Sequence, residues 1–243
     1  MGKYLVLLII LYSSLANAND DKEAKLMMLI HKRLGIFSIS VDKGAFGPKG
    51  NQHVAAIATT SKEDTSVRLI LFRESTTSPI SVLQSEAWDT GGRWSWLLAF
   101  KKGSLYLYGD GSCGAVCHSS ASYQFQIRDG ECRLVGVEES NVSADSHVKG
   151  DVVDQVFLVT TNKRINLLTK RVRYSRERCL SSDDNPWYCV SKANVSEREF
   201  SFMSDLKWRL QEFSPDIFDD FQQNIQYLHG RIDADLKFIE SNP

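Results

Sequence analysis

The sequence lacks any apolar run of the roughly 20 residues that a membrane-spanning helix needs. Its longest apolar stretch covers only residues 4–12 and lies between Lys3 and a small-residue segment that ends in Ala16-Asn17-Ala18. A positive start, a short apolar core and an Ala-x-Ala ending are typical of a secretory signal peptide. We therefore predict a periplasmic or secreted protein that is cleaved after Ala18 and has no transmembrane segment.

The sequence also lacks an excess of either charge, with 29 Lys and Arg residues against 30 Asp and Glu residues. Nucleic-acid-binding domains usually carry a clear basic surplus. We therefore predict no nucleic-acid partner. The apolar share of 42% and the charged share of 24% are those of an ordinary globular protein.

Established catalytic motifs are absent as well. The sequence contains no G-x-S-x-G, no H-E-x-x-H, no phosphate-binding P-loop and no closely spaced histidine pair. We therefore assign no catalytic residue, cofactor or metal ligand. Paired acids such as Asp183-Asp184 and Asp219-Asp220 leave open a cell-envelope hydrolase, in which two dispersed carboxylates would meet across a cleft.

Cysteines are few, and their number is odd, so at least one is not paired within the chain. We predict that a disulfide between Cys113 and Cys117 closes a small loop and that Cys179 pairs with Cys189 across a turn-rich segment. Cys132 would then be the free thiol, because the hairpin described below places it on a buried face.

One alternative concerns Cys113, Cys117 and the adjacent His118. This segment differs by one residue from the C-x-x-C-H pattern of covalent haem attachment and from the C-x-x-C of dithiol redox proteins. A thiol or haem redox protein therefore remains an alternative, and it requires all three side chains to be exposed together.

The fold class follows from hydrophobic periodicity. A period of 2 prevails from 36 to about 190, with strands predicted at 36–41, 54–59, 67–73, 94–101 and 105–108. The stretch 20–33 has the pattern of an amphipathic helix. We predict an α+β fold, with a mostly antiparallel β-sheet or sandwich, an N-terminal helix and a C-terminal helical region.

The clearest element is a hairpin over 122–138. Asp129-Gly130 between two alternating segments is a strong signal for a two-residue turn. The register then places Arg128 opposite Glu131 and Tyr123 opposite Gly136. Further along, 141–151 is predicted as a loop, and 152–160 and 165–174 as a strand pair that turns at 161–163.

The C-terminus changes character. The segment 196–199 has the spacing of a helix capping box, and apolar residues recur at helical intervals from 217 to 239. We predict three regions: a signal peptide at 1–18, a β-rich domain at 19–195 and a helical region at 196–243. The helical stripe would pack on the sheet or bind a partner.

Charge is distributed unevenly along the chain. The segment 162–178 carries seven basic residues against one acid, whereas 201–243 carries eight acids against four bases. The two segments could complement each other internally, or the basic one could contact an anionic partner. Lys170, Arg171 and Arg173 are the candidate interaction residues. Together with the many aromatic residues, they suggest a protein or a cell-wall polymer as the partner.

Two segments carry a resemblance to known sequences. The segments 40–57 and 123–136 resemble a turn-plus-strand start and a charged Asp-Gly hairpin in uncharacterised bacterial exported proteins with an FG-GAP-like start. Periplasmic lysozyme inhibitors share this layout, and 119–123 is similar to the loop that precedes their hairpin. The resemblance transfers no functional residues. The export signal, the lack of catalytic motifs, the aromatic content and the charge asymmetry lead us to predict an exported, non-enzymatic binding protein, such as an inhibitor or immunity-type protein.

Overall fold

The computed structural model describes residues 24–28, 30–32, 37–59, 66–73, 82–89, 94–114, 117–149, 152–182, 189–191, 194–202 and 208–215. These residues form two antiparallel β-sheets, a short N-terminal helical stretch and one 3-10 turn. Several sequence predictions lie outside this part of the chain: the signal peptide, Asp183-Asp184, Asp219-Asp220 and the stripe at 217–239.

The first sheet has five strands. Its order is β1 (Phe37–Phe46), β2 (Asn51–Thr59), β3 (Ser66–Arg73) and β4 (Val82–Gln84), and β5 (Trp88–Asp89) pairs with the other end of β3. The helical residues 24–28 and 30–32 pack against one face, where Ile30 lies among Val41, Val54 and Ala56. The predicted N-terminal helix is therefore confirmed for these residues, and β2 is covered on both sides.

The second sheet is a seven-stranded meander in which each strand pairs with the next along the chain. Connections of this kind suit short turns, because antiparallel neighbours need no crossover. Its strands are β6 (Trp94–Lys101), β7 (Ser104–Gly114), β8 (Cys117–Arg128), β9 (Glu131–Lys149), β10 (Val152–Asn166), β11 (Arg171–Leu180) and β12 (Asn194–Ser201).

One apolar core lies between the two sheets. Ile57 and Leu69 of the first sheet share it with Leu105 and Phe125 of the second, and all four are fully buried. The sheets also meet at their edges, where the backbone amide of Phe100 donates to Asp42 Oδ2 at 2.7 Å. The predicted β-rich fold is therefore confirmed. The other face of the seven-stranded sheet does not take part in this core.

The Asp-Gly hairpin forms as predicted at its turn. Asp129 and Gly130 have φ values of 53° and 82°, and Arg128 lies opposite Glu131. Further from the turn, the predicted register is wrong: a β-bulge places Gly136 opposite Gln124 instead of opposite Tyr123. A bulge adds one residue to one strand only, so every residue beyond it changes face.

Two loop predictions in the middle of the chain are wrong. The polar segment 141–149 continues β9, because β8 and β10 pair with it on both sides. The turn predicted at 161–163 lies instead at 167–170. There Asn166 Oδ1 accepts the backbone amides of Leu168 and Thr169, at 3.0 and 2.9 Å, and Lys170 adopts a φ of 55°. This side-chain turn chemistry outweighs the Asn162-Lys163 signal.

The prediction that a helix begins at 196 is also wrong. Residues 194–201 form strand β12, whose glutamates pair with arginines of β11, and this tertiary pairing overrides the local capping pattern. After β12, Phe202, Leu210 and Phe213 enter the core, with a 3-10 turn at Leu210–Glu212. Residues 216–243 are outside the described chain.

None of the helical segments among the described residues has the length and apolar character needed to cross a membrane.

Candidate functional site

The outer face of the seven-stranded sheet, which is turned away from the core, carries polar and aromatic side chains in cross-strand rows. Alternation along each strand separates these residues from the core residues. The pairing of β7 with β8, β9, β10 and β11 then aligns them. The first row consists of Tyr106, Gln124, Gly136, Asn166 and Arg171.

The second row is parallel to the first and is displaced from it by two residues along each strand. It begins with two uncharged residues, continues with two arginines between two glutamates, and reaches the last strand of the sheet. They are Tyr108, Ser122, Glu138, Arg164, Arg173 and Glu199.

The two rows border an open groove of about 490 Å³, called the outer-face groove from here on. Gly136 leaves a gap in the first row between Gln124 and Asn166, because it has no side chain. A Cβ added at Gly136 would lie 3.3 Å from Gln124 Oε1 and 3.6 Å from the Ile165 carbonyl oxygen. The β-bulge therefore helps to form the groove, since it moves this glycine to the outer face.

Two amides border the gap with opposite hydrogen-bonding character. Gln124 Nε2 donates to the buried hydroxyl of Ser104 at 3.0 Å, so the Gln124 Oε1 atom is left on the groove side as an acceptor. Asn166 uses its Oδ1 atom in the turn at 167–170, so its Nδ2 group remains a donor. Ligand hydroxyl groups, which both donate and accept, suit the two positions.

Three arginines, each paired with a glutamate, form the charged end of the groove. Arg164 contacts Glu138 at 2.7 Å, Arg171 contacts Glu199 at 3.0 Å, and Arg173 pairs with Glu197. The arginine side chains are 53–62% exposed. Because a guanidinium group has five N–H donors, these contacts leave donors available for a ligand.

Aromatic side chains lie at the other end of the groove. The rings of Tyr106 and Tyr108 are nearly parallel, with an interplanar angle of 9° and centroids 5.8 Å apart. The hydroxyl of Tyr108 accepts a 3.1 Å hydrogen bond from Lys101 Nζ, and Leu97 is 64% exposed beside it. This end offers a flat, partly apolar surface with polar atoms at its margin.

The structure brings together two of the three residues predicted for interaction. Arg171 and Arg173 line the groove, whereas Lys170 lies in the turn before β11. Sequence reasoning included Arg164 in the basic segment and Tyr106 among the aromatic residues without choosing them, and it missed Gln124, Gly136, Glu138, Asn166 and Glu199. Alternation shows which of these share a face within one strand, but their assembly into rows requires the strand order and the position of the bulge.

The cysteines whose side chains the structure describes lie outside the groove. Cys179 and Cys189 form the predicted disulfide, Cys132 is the free and buried thiol, and Cys117 is disulfide-bonded. The side chain of Cys113 is outside the described part, so its pairing stays a prediction. His118 lies on the outer face opposite Val142, with Nε2 2.8 Å from Asp110 Oδ1. Successive strand residues point to opposite faces, so Cys117 and His118 do not share one.

A second polar cluster extends the inner face of the same sheet beyond the apolar core. Lys163 Nζ lies 3.5 Å from Glu139 Oε2 and 6.0 Å from the ring centroid of Tyr174. The side chain of Lys163 is only 11% exposed. Burial, with a smaller contribution from Glu139, raises the pKa of Tyr174 to about 12. The paired charges close this end of the core.

Comparison with known proteins finds no matching family model, curated protein or solved structure.

Proposed function

We propose that the protein is an exported, non-enzymatic binding protein of the cell envelope and that it holds its ligand in the outer-face groove. The observation that carries this proposal is the alignment of polar, charged and aromatic side chains from β7 to β12 around a gap without a side chain. Concave sites with a few converging polar groups are the usual location of ligands.

A binding role also agrees with how the groove is supported. The opposite face of the same sheet is the packed core, so the side chains of the groove stand on a rigid base. Binding groups held on strands are placed more accurately than groups on loops. The groove residues therefore need little reorganisation to meet a ligand.

The rival hydrolase requires two carboxylates on either side of the bond to be cleaved. Glu138 on β9 and Glu199 on β12 both line the groove, but they are three strands apart. At about 4.8 Å per strand, their backbones are about 14 Å apart. Each carboxylate is also engaged by an arginine, Glu138 by Arg164 and Glu199 by Arg171. This pairing favours binding over hydrolysis.

A retention assay tests the proposal. The purified mature protein would be mixed with insoluble envelope material from the source cell, sedimented and quantified. The variant Gly136→Val fills the gap, and the control Ser95→Val adds the same side chain to the outer face of β6, outside the groove. We expect Gly136→Val to lose retention and Ser95→Val to keep it.

Two results would contradict the proposal. Equal retention of Gly136→Val and the wild type would show that the groove is not the binding surface. Release of soluble sugar or peptide fragments by the wild type, lost in Glu138→Gln or Glu199→Gln, would establish the hydrolase instead.

A further inference from the structure

We propose that the occupant of the outer-face groove is an acidic glycan chain whose charged groups are carboxylates. The inference rests on the proposed function and adds the chemical class of the ligand. It combines three features of the groove: two arginines that face each other, a gap at Gly136 between two amides, and a tyrosine surface at the opposite end.

The arginine pair is the first feature. Arg164 and Arg173 lie directly opposite each other on β10 and β11. Like charges in this position repel each other across neighbouring strands. Their glutamate partners, Glu138 and Glu197, are on different strands, β9 and β12, so neither lies between the two arginines. An anion bound between the guanidinium groups would relieve the repulsion and could accept paired N–H bonds.

The anion is inferred to be a carboxylate because the protein itself already provides that contact. Within the groove, Arg164 forms an ion pair with the carboxylate of Glu138, and Arg171 forms one with the carboxylate of Glu199. A ligand carboxylate would use the remaining guanidinium donors in the same geometry.

The gap at Gly136 indicates a hydroxyl-rich ligand. Gln124 Oε1 accepts on one side, and Asn166 Nδ2 donates on the other. Each sugar hydroxyl is both donor and acceptor, so the several hydroxyls of a sugar suit a row that offers both an amide acceptor and an amide donor. An extended peptide fits less well, because peptides that add to sheets bind along an edge strand. The groove instead crosses the middle of the sheet, where the backbone hydrogen bonds are already used by neighbouring strands.

The distance between Tyr106 and the arginine pair sets the minimum length of a ligand that contacts both. Tyr106 lines the groove on β7, and the arginine pair lies on β10 and β11. Three to four strand spacings separate them, about 14–19 Å. A single sugar ring does not span this distance. A chain could place one ring against Tyr106, a hydroxyl at Gly136 and a carboxylate between Arg164 and Arg173.

The first experiment measures retention on three samples of the same envelope material: untreated, digested with protease, and chemically reduced at its carboxyl groups. The variants are wild type, Gly136→Val, Arg173→Gln and the control Ser95→Val. We expect retention to survive protease and to fall about tenfold after carboxyl reduction and in Arg173→Gln, as the loss of a charge-assisted hydrogen bond implies.

The second experiment uses a defined probe. Calorimetric titration with oligogalacturonate, which carries a carboxylate on every sugar, is compared with its carboxyl-reduced form. We expect both the wild type and Ser95→Val to bind the acidic form more tightly than the carboxyl-reduced form. We also expect the affinity for the acidic form to fall with added salt.

The outcomes separate this inference from the proposed function. Retention that depends on the groove but persists after carboxyl reduction, or that disappears with protease, overturns the acidic glycan and leaves the proposed function standing. Equal retention of wild type and Gly136→Val overturns the proposed function itself.

Discussion

Arg164 on β10 and Arg173 on β11 face each other on the outer face of the seven-stranded sheet. Each guanidinium group pairs with a glutamate on the strand away from the other arginine, Arg164 with Glu138 on β9 and Arg173 with Glu197 on β12. The row therefore runs from Glu138 through two adjacent positive charges to Glu199. Because neither glutamate lies between the two arginines, the repulsion between them is not neutralised within the protein. This arrangement favours the binding of an anion more than it favours the stability of the fold.

The first prediction follows from this row. Arg173→Gln removes one ion pair and one like-charge contact at the same time. Exposed ion pairs contribute about 0–1 kcal/mol, so the free energy of unfolding should change by less than about 1 kcal/mol. Urea unfolding followed by tryptophan fluorescence measures the change. A loss above about 2 kcal/mol would show that the row holds the fold together.

The second prediction concerns the contact between the two sheets. A Cβ added at Gly44 would lie 2.4 Å from Phe100 Cβ. Gly44→Ala should therefore lower the free energy of unfolding by about 1–3 kcal/mol, as overpacking does. The matched control is Gly136→Ala, whose new Cβ meets the flexible end of Gln124 at 3.3 Å. Equal effects of the two substitutions in thermal unfolding would contradict the packing described here.

The third prediction concerns the chain after β12. Phe213 is 3% exposed, and its ring lies edge-on to Trp88, Tyr123 and Phe125. Phe213→Ala should cost about 3–5 kcal/mol in the free energy of unfolding, because it leaves a cavity among large rings. Gln211→Ala, at an exposed position two residues away, should change stability by about 0.5 kcal/mol or less. Similar midpoints in urea for both variants would mean that this segment does not belong to the core.

The fourth prediction concerns the free thiol. Cys132 is 1% exposed, and burial raises its pKa to about 12. The thiolate attacks the alkylating reagent and displaces iodide, whereas a buried thiol does not react, so native protein at about pH 8 should resist iodoacetamide and protein unfolded in urea should react within minutes. Mass spectrometry of the alkylated chain measures both states. Rapid modification of native Cys132 would place this thiol at the surface.

The fifth prediction concerns alkaline pH. Burial raises the pKa of Tyr174 to about 12, above the ordinary value of 10.0. The folded state therefore retains a proton that the unfolded state releases. The resulting stability is fully present below pH 10 and is lost as the pH rises from 10 towards 12. Tyr174→Phe should show a shallower decline of unfolding free energy over this range. Identical slopes for the two proteins would contradict a buried hydroxyl.

Much of the fold was accessible from local patterns. The two-residue turn at Asp129-Gly130, strand β6 at 94–101 and the burial of Cys132 all follow from alternation and turn chemistry. These signals act over a few residues. The failures occur where a partner strand decides: 141–149 is polar enough for a loop, and 196–199 has the spacing of a helix start, yet both form strands because neighbours pair with them.

The sequence by itself determined the alternation of strands such as β6 and β8, the hairpin turn, the pairing of Cys179 with Cys189, and the basic character of β11. Only the tertiary structure decided which polar side chains meet. A single extra residue in β9 moves Gly136 to the outer face, and a one-residue shift in register reverses the face of every residue that follows. Register depends on pairing between distant parts of the chain, so the groove could not be deduced from spacing alone.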